Sequence, residues 1–114
     1  MKLEKSRNVA KVPVQIEGAK DVEIRWLISK KDGAQNFAMR MFELRPGGHT
    51  PLHAHPEEHE VFILEGQGTF IYEGREHPFE AEHVIFVPPD KEHRFKNTGD
   101  SLLRMLCIIP TPAG

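Results

Sequence analysis

The chain has 114 residues, a formal net charge of -2 and one cysteine, Cys107. That length supplies one core and one domain. No apolar run is long enough to cross a bilayer, the dispersed basic residues form no nucleic-acid surface, and a lone cysteine excludes an intrachain disulfide. Met1-Lys2-Leu3-Glu4-Lys5 lacks the apolar centre of a secretory leader, so a reducing, cytoplasmic setting is the expectation.

In chain order, Val12, Val14 and Ile16 alternate, with Pro13 confining that segment to an edge strand. Val22, Ile24, Trp26 and Ile28 alternate with Glu23 and Arg25, which predicts a half-buried strand, and Lys30 to Gly33 reads as its turn. Asn36 to Leu44 is a second long strand, ended by Arg45-Pro46-Gly47-Gly48. Glu60 to Glu65, Gln67 to Glu73, Arg75 to Phe79, Val84 to Val87, Glu92 to Phe95 and Ser101 to Ile109 follow as short strands between Gly-, Pro- and Asn-rich turns. No window of ten or more residues without Pro or Gly shows a helical period. Nine or ten short strands and no helix predict an all-β sandwich or barrel.

Between these strands lies a histidine stretch, with Pro51 and Pro56 excluding a helix. Residues two apart on an extended chain point the same way, so His53 and His55 can aim at one point. Imidazole suits first-row transition metals, and two histidines alone hold a metal weakly. His59 is the nearest third ligand, and His93 is a fourth candidate. A closed structural zinc site is disfavoured, because such sites usually use thiolates and Cys107 stands alone.

These residues carry a resemblance to the cupin family, whose fold is a double-stranded β-helix of the jelly-roll class. The first cupin motif is Gly, five residues, His-x-His, three or four residues, Glu, six residues, Gly. Here Gly47, His53, His55 and Gly66 keep the spacing, and His59 stands where the glutamate is usual. In the second motif Pro88, His93 and Asn97 are in place, while Glu82 and Asp90 replace its two glycines. Asp tolerates the left-handed turn that glycine would take. Glu60 competes with His59 as a ligand, but His59 shares a strand face with Val61 and Ile63 while Glu60 shares the other with Phe62 and Leu64. The spacing to Gly66 favours His59. The resemblance spans residues 35 to 110 and is nearest to small single-domain cupins with four histidine ligands, often bearing manganese.

The resemblance implies a barrel over residues 35–114. Residues 1–34 then supply N-terminal strands, edge contacts and part of a homodimer interface. It favours manganese or iron, while nickel, zinc or copper also suit nitrogen donors. Four neutral imidazoles leave the full charge on the ion, which would attract an anionic ligand. Two open positions on an octahedral ion imply catalysis on a small molecule, an oxygenase-type reaction first. A non-catalytic ligand-binding or sensing module is the alternative. An isomerase or decarboxylase comes third, since it needs a general acid or base for which Glu60 and Tyr72 are weak candidates. Arg40, on a face with Phe42 and Leu44, is either a pocket cation or a salt-bridged interface residue. Met105, Cys107 and Ile109 are expected to face the interior, with Arg104 opposite. His49, His77 and His83 read as surface histidines.

Overall fold

The alternation along the last strand shows how the sheet divides inside from outside. From Leu103 to Ile109 every second residue is buried: Leu103, Met105, Cys107 and Ile109. The structure, a computed structural model, describes residues 1–111. Residues 112–114, the end of the expected barrel segment, lie outside the described residues.

Among the described residues nine strands form: β1 (Lys11–Pro13), β2 (Lys20–Ile28), β3 (Phe37–His49), β4 (His59–Glu65), β5 (Gln67–Tyr72), β6 (Arg75–Glu80), β7 (Val84–Val87), β8 (His93–Lys96) and β9 (Leu103–Pro110). Their order is β6-β5-β8-β3-β9-β4-β7, with β2 also on β3 and β1 on β2. The pairs are antiparallel. The sheet curls over one core in which Phe70, Phe79 and Phe95 meet Val61, Ile63, Leu103 and Met105. Among the described residues the only helical segments are the 3-10 turns Ser6–Asn8 and Lys30–Asp32. The architecture is therefore all-β, as the turn-punctuated pattern predicts.

One boundary differs from expectation. Arg45-Pro46-Gly47-Gly48 does not end the second long strand, because β3 continues through it to His49. The register explains how, since Val22 pairs with Leu44 and Lys20 with His49, so β3 carries extra residues against β2. Gly47 takes a φ of 83°, which kinks the strand without a steric cost. The nitrogen of Gly47 then donates to the Asn97 carbonyl at 3.1 Å, keeping the kinked segment tied to the neighbouring turn.

Two turns depend on particular side chains. Asn97, 3% exposed, donates through Nδ2 to the carbonyls of Leu44 (2.8 Å) and Ser101 (2.9 Å) and accepts the Gly99 amide at 3.0 Å. That joins the β8–β9 turn to β3. Gly66 has a φ of 89°, and a Cβ there would sit 2.5 Å from the Leu102 carbonyl oxygen, so only glycine fits. Glu82 (φ 74°) and Asp90 (φ 62°) adopt the left-handed conformation at the two positions where the motif usually has glycine.

The N-terminal segment folds back on its own sheet. Arg25 donates to the Val9 carbonyl at 2.6 Å, and Lys11 reaches Glu43 at 3.4 Å. Part of the β2 edge expected to meet a second subunit is thus paired with β1. Exposed apolar side chains remain on β2, at Trp26 and Ile28, and also on β4 and β7, at Phe62, Val84 and Phe86.

Candidate metal centre and its pocket

Backbone pairing brings the histidines together before any side chain is considered. His53 and His93 exchange amide-to-carbonyl hydrogen bonds of 3.2 and 3.0 Å, clipping the loop after β3 to the start of β8. The Asp90 amide donates to the His55 carbonyl at 2.7 Å. His59 opens β4, opposite Val87 on β7.

The rings then gather. Ring centroids are 4.8 Å apart for His53 and His55, 5.1 Å for His53 and His93, and 5.0 Å for His55 and His93. One nitrogen from each of these three lies within 4.8 Å of the others. His55 Nδ1 donates to the Glu57 carbonyl (2.9 Å) and His93 Nδ1 to the Lys91 carbonyl (2.8 Å). A carbonyl can only accept, so each Nδ1 carries a proton, and in the neutral form of each ring Nε2 keeps a free lone pair. His55 Nε2 is buried without a hydrogen-bond partner. Burial depresses the His53 pKa to about 4 and the His59 pKa to about 3, with neighbouring imidazoles and Arg40 adding to the effect. Burial also lowers that of His93. Neutral imidazoles with converging lone pairs are what a transition ion requires. An orphaned buried nitrogen therefore fits a metal that these residues would hold.

His59 stands differently from the other three. Its ring stacks on His55 at 4.4 Å and 26°, and lies 6.0 Å from His93. It belongs to the cluster of rings but not to the trio whose nitrogens converge.

The other candidates separate cleanly. Glu60 is exposed on the outer face beside Phe62 and Ile108, away from the histidines. Strand parity turns it to the face of β4 opposite His59. Tyr72 stacks on Phe70 at 5.8 Å and does not line the cavity. Arg40 and Cys107 both point inward, and Arg40 Nη2 donates to Cys107 Sγ at 3.0 Å. Burial raises the Cys107 pKa, although Arg40 works against the rise, so the thiol is neutral. His77 and His83 are exposed, whereas His49 is half-buried.

Beside the histidines lies a cavity of about 170 Å³ lined by His53, His59, His93, Arg40, Cys107 and apolar side chains. Its rim includes Val14 and Ile16, which the sequence pattern assigned only to an edge strand. Their part in the pocket depends on a chain reversal that local alternation does not encode. Thr50, equally unforeseen, accepts the Phe95 amide through Oγ1 at 2.9 Å and seats the histidine loop on β8.

Comparison with known proteins agrees with this geometry. Over 96 residues the chain is 35% identical to an oxalate-binding protein of Thermotoga maritima, covering 81% of this chain and 78% of that protein. It is 35% identical over 75 residues to the polyketide synthase CurC of Streptomyces cyaneus, covering 65% of this chain and 49% of CurC, so it spans about half of that relative. Its fold matches the polyketide cyclase RemF from Streptomyces resistomycificus with a TM-score of 0.92 and 33% identity, over 98% of this chain and 80% of that one. Residues 40–109 match the family profile Cupin_2, described as a cupin domain. With that match across more than half its length, the chain belongs to the cupin family.

Proposed function

We propose that the chain is a metal-dependent enzyme of the oxygenase type, acting on a small, anionic molecule held in the cavity beside His53, His55, His59 and His93. The observation that carries this reading is the buried, unpartnered Nε2 of His55 facing two further imidazoles at the edge of an apolar cavity. A divalent transition ion, manganese or iron by preference with nickel, zinc or copper also suited to the donors, supplies Lewis acidity and, where redox-active, one-electron chemistry. His53, His55 and His93 would hold it, with His59 as the fourth ligand. The carbonyls of Glu57 and Lys91 fix two of the imidazoles in the tautomer that leaves Nε2 free. The apolar lining excludes water, and Arg40 places a positive charge beside the bound molecule.

Among the described residues, no Asp or Glu lines the cavity. An isomerase or decarboxylase mechanism therefore lacks its general base and ranks below the oxygenase. The same lack favours the second reading, a module that binds a small anion without turning it over, and the resemblance to an oxalate-binding protein supports it. A homodimer accompanies either reading, with residues 1–34 and the apolar outer face of β4 and β7 as the available surfaces.

Oxygen consumption by iron- or manganese-loaded protein with diketones, catechols and thiols decides between them. Turnover above that of the free ion is expected, and its absence across the panel leaves the binding module. Elemental analysis tests the ligand set. His59→Ala is expected to lower metal content far more than Glu60→Ala, and the opposite order overturns the assignment.

A further inference from the structure

Among the described residues, Arg40 is the one side chain lining the cavity that is charged at neutral pH. Its partners are unusual for a guanidinium. Nη2 bonds the Cys107 sulfur, and the group lies 4.9 Å from the Phe42 ring centre and 5.6 Å from that of Trp26. Nε is buried with no partner. Arg25, Arg45 and Arg104 all reach carboxylates, whereas among the described residues none pairs with Arg40. Arg40 is half-buried, a charge held there without a carboxylate is poorly compensated, and a thiol that burial holds neutral does not compensate it. Once an ion is bound nearby the cavity becomes still more positive. The rest of the lining is largely apolar, with Val22, Ile24, Phe42, Val61, Phe95 and Met105 around a space of about 170 Å³. An apolar cavity of roughly 150 Å³ is large enough for a benzene ring.

From this juxtaposition we propose that Arg40 is an anion-binding anchor, so that the ligand is an apolar, ring-sized molecule bearing a single anionic oxygen group rather than a small all-polar dianion. The anionic group meets the Arg40 guanidinium where it lines the cavity, and the body fills the space between Phe42 and Met105. This rests on the proposed small-molecule site but not on the identity or presence of the ion. A dianion such as oxalate would leave much of the apolar lining unused and would present a second charge with no second cation in the metal-free protein.

The molecule carries its own reporter, since Trp26 is the only tryptophan and sits against Arg40. Titrating metal-free, full-length protein with benzoate, benzamide and oxalate while following Trp26 fluorescence tests the assignment. Benzoate is expected to bind about tenfold tighter than benzamide, equivalent to about 1.4 kcal/mol, and tighter than oxalate. Arg40→Met should abolish the preference for benzoate over benzamide, and Arg40→Lys should retain part of it. Equal binding of benzoate and benzamide, or an undiminished preference in Arg40→Met, overturns the anchor. Oxalate binding as tightly as benzoate overturns the apolar-body half. Should Arg40→Met fail to fold, as judged by near-ultraviolet circular dichroism, the wild-type comparison and Arg40→Lys decide. Metal uptake is measured separately on the same proteins, so loss of the metal reading shows as absent uptake and loss of this one as absent preference.

Discussion

Acidifying the metal-free protein from pH 7 to pH 5 should destabilise it through the histidine cluster. His59 titrates near its ordinary 6.5 in the unfolded chain, while burial first, and Arg40 with the neighbouring imidazoles second, hold it at about 3 in the folded state. Below pH 6.5 the unfolded chain therefore binds a proton that the folded one refuses. Stability is full above 6.5 and falls as pH drops toward 3, by roughly 1.4 kcal/mol for each pH unit below 6.5. At pH 5 the loss from His59 is about 2 kcal/mol. His53, shifted the same way to about 4, is more exposed, so solvent screening shrinks its share. His93 acts in the same direction. Glu43 stays out of this window. Burial raises its pKa, but Arg25 and Lys11 outweigh that and hold it below the ordinary carboxylate value, so its contribution is lost only at more acid pH. With a urea slope of about 1–3 kcal/mol per molar, the urea midpoint should fall by about 1 M between pH 7 and pH 5. His59→Gln should flatten that fall whatever it does to stability at pH 7. A midpoint that does not move in the wild type, or a full-sized fall in His59→Gln, refutes the reasoning.

Asn97→Ala removes three hydrogen bonds, among them the buried one to the Leu44 carbonyl, so urea denaturation should show a loss of about 2–4 kcal/mol. Gly66→Ala should cost more than Gly74→Ala on thermal melting. Both have positive φ, but only at Gly66 does a Cβ meet backbone, at 2.5 Å, and a melting point equally lowered by the two contradicts this. Saturating a preferred ion at a hundredfold excess over its dissociation constant should stabilise the protein by about 2.7 kcal/mol, and His55→Ala should remove that gain in a melting assay with and without chelator. Phe86→Glu places a charge on the exposed apolar face of β7. Sedimentation velocity should show a smaller species than the wild type, and an unchanged one argues against dimerisation through that face.

Much of this site could be read from the sequence because strands repeat every two residues. That periodicity sets Met105, Cys107 and Ile109 inward, sends His59 to the same side as Val61, and turns Glu60 away. It also puts Arg40 on the face of Phe42, but whether a carboxylate waits there depends on the strands packed opposite, which pattern alone does not reveal. The continuation of β3 past Pro46 escaped for a related reason. Pro-Gly-Gly ends most strands, and only the partner register with β2 shows that Gly47 absorbs the kink. His59 was legible as a neighbour of the other imidazoles, but its stacking on His55 reflects side-chain rotation, which residue spacing leaves undetermined.

The reciprocal amide bonds between residues 53 and 93 hold loops forty residues apart at a fixed separation. Chain ordering around the donors is therefore completed when the barrel folds, and an arriving ion would meet a prepared cradle rather than two wandering segments. The same clip couples two properties usually treated apart: anything that peels β8 from its neighbours, whether heat, denaturant or a cut in the loop, should release the cargo at the moment the barrel opens.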